Sequence, residues 1–248
     1  MSNKEILKNV EKLVEMYKKG LLGGEVMPED SNPHLSKESI ENYNYFTLPM
    51  SLNYQRNSYK LWESANQTWN NQATNFVFDT KKVSEASFEQ IQKALVKYKV
   101  ALQQNKQTEI WLTLCNTINN LFDGDIRKLF QVNDYDVNKI RNYIQKENKS
   151  LFPYLSGNKI CNYWLYVLYQ YTDIKFKNIE DLTVAPDTHV IKASHRLGII
   201  SDNELGTNNV QLIVINRWND LLKGTKYHPI DIHTPMWLWS RNGFTDLV

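Results

Sequence analysis

The chain has 248 residues, 42% of them hydrophobic and 23% charged, a balance that excludes a disordered chain and suffices for a sizeable core. A formal net charge of +2 excludes a protein-wide basic field, so nucleic-acid contact must come from a local surface. The two cysteines, Cys115 and Cys161, stand far apart in apolar runs. Buried free thiols are therefore expected, with no zinc site, iron–sulfur cluster or other cofactor. The segment Met1 to Lys19 is charged and no apolar run approaches eighteen residues. The expectation is a cytoplasmic protein without signal peptide or membrane span.

In chain order, Ile6, Val10, Leu13, Val14 and Tyr17 give helical spacing over residues 3–19. Residues 20–36, with Gly23, Gly24, Pro28 and Pro33, read as a long loop. Ser36 and Ser39 are weak capping signals for a short helix after it. An aromatic-rich apolar segment runs from Phe46 to Trp69, and a loop follows from Asn70 to Asp79. Helical patterns cover roughly 86–104, 107–121, 125–131 and 136–147, with Asp123-Gly124 as a break and Asp125 and Asp136 as helix starts. Ile160 to Tyr171 reads as a buried helix. Asp187 opens another that Gly198 ends, and Val210 to Leu222 is a further one. Thr234-Pro235 reads as N-cap and first helical residue before Met236 to Arg241. No strand alternation or internal repeat is present, so the fold class expected is all-α.

Two segments carry residues suited to chemistry. Ser156-Gly157-Asn158-Lys159 places a lysine in a glycine-bearing turn between helices, where backbone N–H groups and the helix dipole suit a phosphate. Pro186-Asp187-Thr188-His189-Val190 places a carboxylate at a helix start, 28 positions after Lys159. A free amine can attack an anomeric carbon, and a carboxylate can stabilise the charge that develops there. Each residue also has an ordinary role, Lys159 as a solvated turn residue and Asp187 as an N-cap. The tryptophans, Trp62, Trp69, Trp164, Trp218 and Trp239 among them, suit helix–helix cores. Lys175, Lys177, Lys192, His195 and Arg196 form either a local positive surface or a solvated face.

The run Val184 to Val190, continued by His195-Arg196-Leu197-Gly198, resembles the helix-hairpin-helix DNA glycosylase superfamily. The long interval filled by Gln170 to Thr183, Asn53-Tyr54-Gln55, Arg217 to Asp220 and Pro229 to Arg241 are most similar to the archaeal 8-oxoguanine DNA glycosylase family. The resemblance covers about residues 45–245 as scattered motifs. It implies two helical lobes with a cleft between them, a hairpin near residues 150–170, and a glycosylase-like unit over 36–248 behind an N-terminal extension of residues 1–35. By position, Lys159 matches the Schiff-base nucleophile and Asp187 the catalytic aspartate. Gln55 matches a base-reading amide and Trp237 a stacking wall, with Tyr54 beside them. Ser156, Gly157 and Asn158 match the backbone-binding hairpin. His233 stands where that family has a pocket carboxylate, and Asp231 lies two residues earlier.

The resemblance thus implies a monomeric enzyme that flips an oxidised purine, 8-oxoguanine first among them, out of double-stranded DNA and cleaves the abasic strand by β-elimination. It would act in the cytoplasm, at the nucleoid when bound. Two alternatives stand beside it. A nucleoside N-glycosylase of the queuosine-salvage type would need Asp187 and not Lys159. A non-catalytic helix-hairpin-helix DNA-binding protein would need neither.

Overall fold

Side-chain caps set most helix starts in the computed structural model, which describes residues 2–22 and 27–247. Ser2 and Glu5 form a capping box on α1 (Asn3–Lys18), and the Ser39 hydroxyl accepts the Asn42 N–H to open α2 (Ile40–Thr47). Asn57, Asp79, Ser87 and Asp136 cap α3 (Ser58–Trp69), α4 (Thr80–Glu85), α5 (Phe88–Lys97) and α8 (Val137–Asn142). Each such cap stabilises its helix by about 1 kcal/mol. The remaining helices are α6 (Gln104–Phe122), α7 (Arg127–Val132), α9 (Asn158–Tyr171), α10 (Thr188–Arg196), α11 (Asp202–Leu205), α12 (Val210–Leu222) and α13 (His233–Arg241). The described residues contain no strand, only an isolated bridge between Asp136 and Lys177. The fold is all-α.

The chain forms two compact units. The central unit is Met27–Ile179; the terminal unit joins the described residues of Met1–Val26 to Glu180–Val248. The expected extension is thus shared, with α1 in the terminal unit and the 3-10 turn Pro28–Asp30 in the central one. The expected loop glycines Gly23 and Gly24 lie outside the described residues.

The central unit is built on aromatic side chains. Trp62, Trp111, Trp164, Tyr45, Phe46 and Phe78 are fully buried. Their ring contacts include Tyr45 stacked on Phe78 at 5.4 Å and Trp111 edge-on to Phe78 at 5.6 Å. Burying each such ring contributes roughly 4–6 kcal/mol gross, from about 150–250 Å² at about 25 cal/mol per Å². The indole N–H groups of Trp111 and Trp164 donate to the Val77 carbonyl and the Thr47 hydroxyl, so these rings bury no orphaned donor.

In the terminal unit α13 is buried all round, from His233 to Ser240, its polar His233, Thr234 and Ser240 included. Both α10 and α1 pack against it. Trp218 on α12 is buried beneath α10 and donates to the Ser194 hydroxyl at 2.8 Å. The chain ends are tied here as well, by Asn242 Nδ2 donating to the Leu22 carbonyl and Lys12 Nζ to the Leu247 carbonyl.

Several expected bounds shift for local reasons. The pattern over 86–104 breaks after Lys97 because Lys99 adopts φ +64°. The pattern over 136–147 begins as α8 and widens into a π-turn at Tyr143–Glu147. Asp125 stands one residue before Ile126, the N-cap of α7, and its Oδ1 still accepts the first-turn Arg127 N–H at 3.0 Å while the carboxylate also pairs with the Arg127 guanidinium at 2.7 Å. Thr234 does not open the last helix. That helix starts at His233 and holds Pro235 in its first turn, where a missing N–H costs nothing.

Candidate functional site

At the start of α10 the buried run Val184-Ala185-Pro186 delivers Asp187 to the N-cap position. Proline disfavours helix in the residue before it, which keeps this approach extended. Asp187 Oδ1 accepts the N–H groups of His189 and Val190, both at 2.9 Å, and Oδ2 accepts the Trp237 indole N–H at 3.0 Å. Three donors therefore fix the orientation of one carboxylate. A carboxylate has about four lone-pair sites, so acceptor capacity is left over.

The groups around Asp187 come from α10 and α13. His189 meets the Trp237 ring edge-on at 5.4 Å, and its Nδ1 lies 3.4 Å from the Ser240 hydroxyl. Arg241, one turn beyond Trp237 on α13, places its guanidinium 5.2 Å from the Trp237 ring. Burial lowers the His189 pKa from its ordinary value; Asp187 opposes the shift, while Arg241 and Lys192 add to it. The shift disfavours the charged imidazole beside this fixed carboxylate.

The terminal-unit residues expected at a base pocket take other positions. Trp237 is 8% exposed and spends its N–H on Asp187, with Arg241 over its ring. These contacts orient Asp187. His233 is 3% exposed and its Nδ1 accepts the Ala185 N–H at 3.3 Å, which assigns it the tautomer with Nε2 protonated. It braces the approach to Asp187. Asp231 is exposed and its Oδ2 accepts the His228 N–H at 2.9 Å.

The central unit carries the second set. Gly157 is the N-cap of α9, and a Cβ there would lie 3.1 Å from the Tyr154 carbonyl oxygen. The N–H groups of Ser156 and Gly157 donate to the carbonyls of Phe152 and Tyr154. These two expected phosphate donors are therefore spent on closing the turn. The Ser156 hydroxyl donates to the Lys149 carbonyl, and Asn158 Oδ1 accepts from Gln145. The donors left to an anion are the first-turn amides of α9, at Asn158, Lys159 and Ile160, which no side chain caps. Lys159 is exposed on that turn.

Tyr54 and Gln55, about a hundred residues earlier, reach the same turn. The Tyr54 ring lies 5.3 Å from that of Tyr154. Both residues, with Gln55, Arg56, Gln103, Lys106 and Gln107 among others, line a pocket of about 150 Å³. Gln55 and Tyr154 adopt left-handed backbone, φ +49° and +59°, a conformation that costs a non-glycine residue about 1 kcal/mol or more. Lys106 Nζ lies 5.4 Å from the Tyr154 ring centre.

The structure thus brings Tyr54 and Gln55 to the Ser156–Lys159 turn within the central unit, and Asp187 to Trp237 within the terminal unit. Lys159 and Asp187 belong to different units. The positive surface expected from Lys175, Lys177, Lys192, His195 and Arg196 is divided between the units too, and partly neutralised. Lys177 pairs with Asp134 at 2.6 Å, His195 with Asp202 at 2.8 Å, and Arg196 lies over Phe244. Sequence reasoning missed Arg241 and Ser240 around Asp187, and Tyr154, Arg56 and Lys106 around Gln55. His189 stood inside a recognised motif, but no spacing marks the others. No family model matches the chain, and no curated protein is similar to it at a significant level.

Proposed function

We propose that this protein is a nucleic-acid N-glycosylase with abasic-site lyase activity, built on the helix-hairpin-helix plan that its sequence resembles. The observation that carries the reading is Asp187, a carboxylate held at the start of α10 by two backbone amides and the Trp237 indole. Preorganised groups of this kind act where charge develops, with no reorganisation during the reaction. The segment Phe152 to Lys159 is read as the hairpin, with the uncapped first turn of α9 taking a phosphate.

In this mechanism the target nucleotide is flipped from the stack at a cost of a few kcal/mol. Lys159 Nζ, as the free amine, forms a bond to C1′ while the C1′–N bond to the base breaks and the base leaves with a proton. Asp187 stabilises the positive sugar. Opening of the sugar ring gives an imine on Lys159, and loss of a 2′ proton expels the 3′ phosphate. Gln55, exposed on its strained turn, reads the base edge with both donor and acceptor. With His233 buried as a brace, this amide carries base selection. The proposed substrate is an oxidised purine in DNA, 8-oxoguanine first.

The test is borohydride trapping and base release on a duplex oligonucleotide containing 8-oxoguanine. Wild type traps, Lys159→Gln does not, and Asp187→Asn, which keeps its capping oxygen, releases base at least a hundredfold more slowly. Absence of base release from every oxidised lesion tried overturns the glycosylase reading. Base release undiminished in Lys159→Gln overturns the lyase and leaves Asp187-assisted hydrolysis, the chemistry of a nucleoside glycosylase.

A further inference from the structure

The pocket beneath Tyr54 continues onto a second, wider one of about 600 Å³, lined by Lys60, Glu63, Gln67, Lys97, Tyr98 and Lys99 among others. Gln55, Arg56 and Leu102 line both and form the ridge between them. All of these residues lie in the central unit.

Three properties of this face depart from an ordinary solvated surface. The first is its charge. It gathers Arg56, Lys60, Lys97, Lys99 and Lys106 around Glu63, in a chain whose net charge is +2. None of the five is in an ion pair among the described residues, so each is left to meet an anion. Arg56 is held by backbone alone, donating to the carbonyls of Val100 and Lys99, and its buried Nε has no partner. The second is exposed apolar surface, with Leu102 on the ridge 55% and Tyr54 beside it 50% exposed. The third is backbone strain. Gln55, Lys99 and Tyr154 all hold left-handed φ without being glycine, and such strain collects at ligand sites.

Side chains with apolar or aromatic faces beside unpaired cations match an unpaired nucleic-acid strand, whose bases need stacking surfaces and whose phosphates need positive charge. A pocket of about 150 Å³ is smaller than the roughly 300 Å³ or more of drug-sized sites, so it does not enclose a whole nucleotide. An acidic peptide would use the cations but leave Tyr54 without a task. We propose that this face binds single-stranded nucleic acid, with bases on Tyr54 and Leu102 and phosphates on Lys60, Lys97 and Lys106. Under the glycosylase reading, on which the inference rests only for its setting, this is where a strand separated from its partner is held.

The test uses the full chain and a fluorescein-labelled, undamaged twelve-residue oligothymidylate, followed by anisotropy from 50 to 200 mM salt. Wild type binds with affinity that falls steeply with salt. Combining Lys60→Gln, Lys97→Gln and Lys106→Gln flattens the log–log salt slope by about 2, since each single-strand phosphate contact contributes about 0.7. Tyr54→Ala weakens binding about tenfold with the slope unchanged, as loss of one stacked base requires. Circular dichroism confirms that the variants, all at exposed positions, are folded. No binding by wild type overturns the proposal, and so does binding that neither variant alters. Polyglutamate competing as well as DNA, with Tyr54→Ala without effect, assigns the face to acidic peptides and also overturns it. Asp187→Asn is expected to bind the oligonucleotide like wild type whether or not wild type releases base, so failure of the glycosylase reading is seen separately.

Discussion

Glu29 offers a direct measurement of what burial costs in the central unit. It is 1% exposed on the 3-10 turn Pro28–Asp30, where Oε2 accepts the Tyr163 hydroxyl at 3.0 Å and Oε1 has no partner. Burial pushes its carboxyl from 4.5 up to about 7. At about 1.4 kcal/mol per pH unit, that difference is a penalty of about 3 kcal/mol on the folded state above pH 7. The sign follows from proton counting. Between pH 4.5 and about 7 the folded chain holds a proton that the unfolded chain has released, so stability falls as pH rises through this window. The full contribution is present below the unfolded pKa. Glu29→Gln cannot ionise and keeps an acceptor for Tyr163. The free-energy difference between variant and wild type should therefore grow in favour of the variant by about 2 kcal/mol from about pH 5.5 to pH 7. Urea melts followed by tryptophan fluorescence measure it, since Trp62, Trp69, Trp111 and Trp164 all lie in this unit. Taking the difference cancels the other carboxylates. Parallel pH profiles for the two proteins would refute the reasoning.

Two further outcomes concern Asp187. Asp187→Ala should lower stability by about 1 kcal/mol or somewhat more through loss of the cap and of the Trp237 contact, while Asp187→Asn should cost a few tenths; chemical denaturation separates them. The Asp187 charge raises the His189 pKa against burial. An NMR titration of His189 should accordingly give a lower pKa in Asp187→Asn than in wild type, and an unchanged or higher value would contradict the charge contact.

What could be read from the sequence was local. Val210–Leu222 follows its apolar spacing to the residue, and Asp136 and Asp187 cap their helices through carboxylates placed just before an apolar run. The assignments that moved depended on distant partners. Trp237 bonds Asp187 and His233 bonds Ala185, each about fifty residues away in the chain, contacts that no local spacing shows. The uncapped amides of α9 could not be counted without knowing that the turn consumes those of Ser156 and Gly157. The basic face was invisible because its cations come from three separate stretches, and its left-handed turns at Gln55, Lys99 and Tyr154 carry no glycine to announce them.

The discontinuity of the terminal unit also sets an order on the chain's biosynthesis. Helix α1 is made before the central unit, yet α13, on which it packs, is made after it. The central unit lies wholly between them and can fold while α1 still waits for its partner. At 5–20 residues per second, Trp237 follows Ile179 by roughly 3–12 s. During that interval Asp187 lacks the indole that orients it. Helix α1 therefore completes its packing only once α13 has been synthesised.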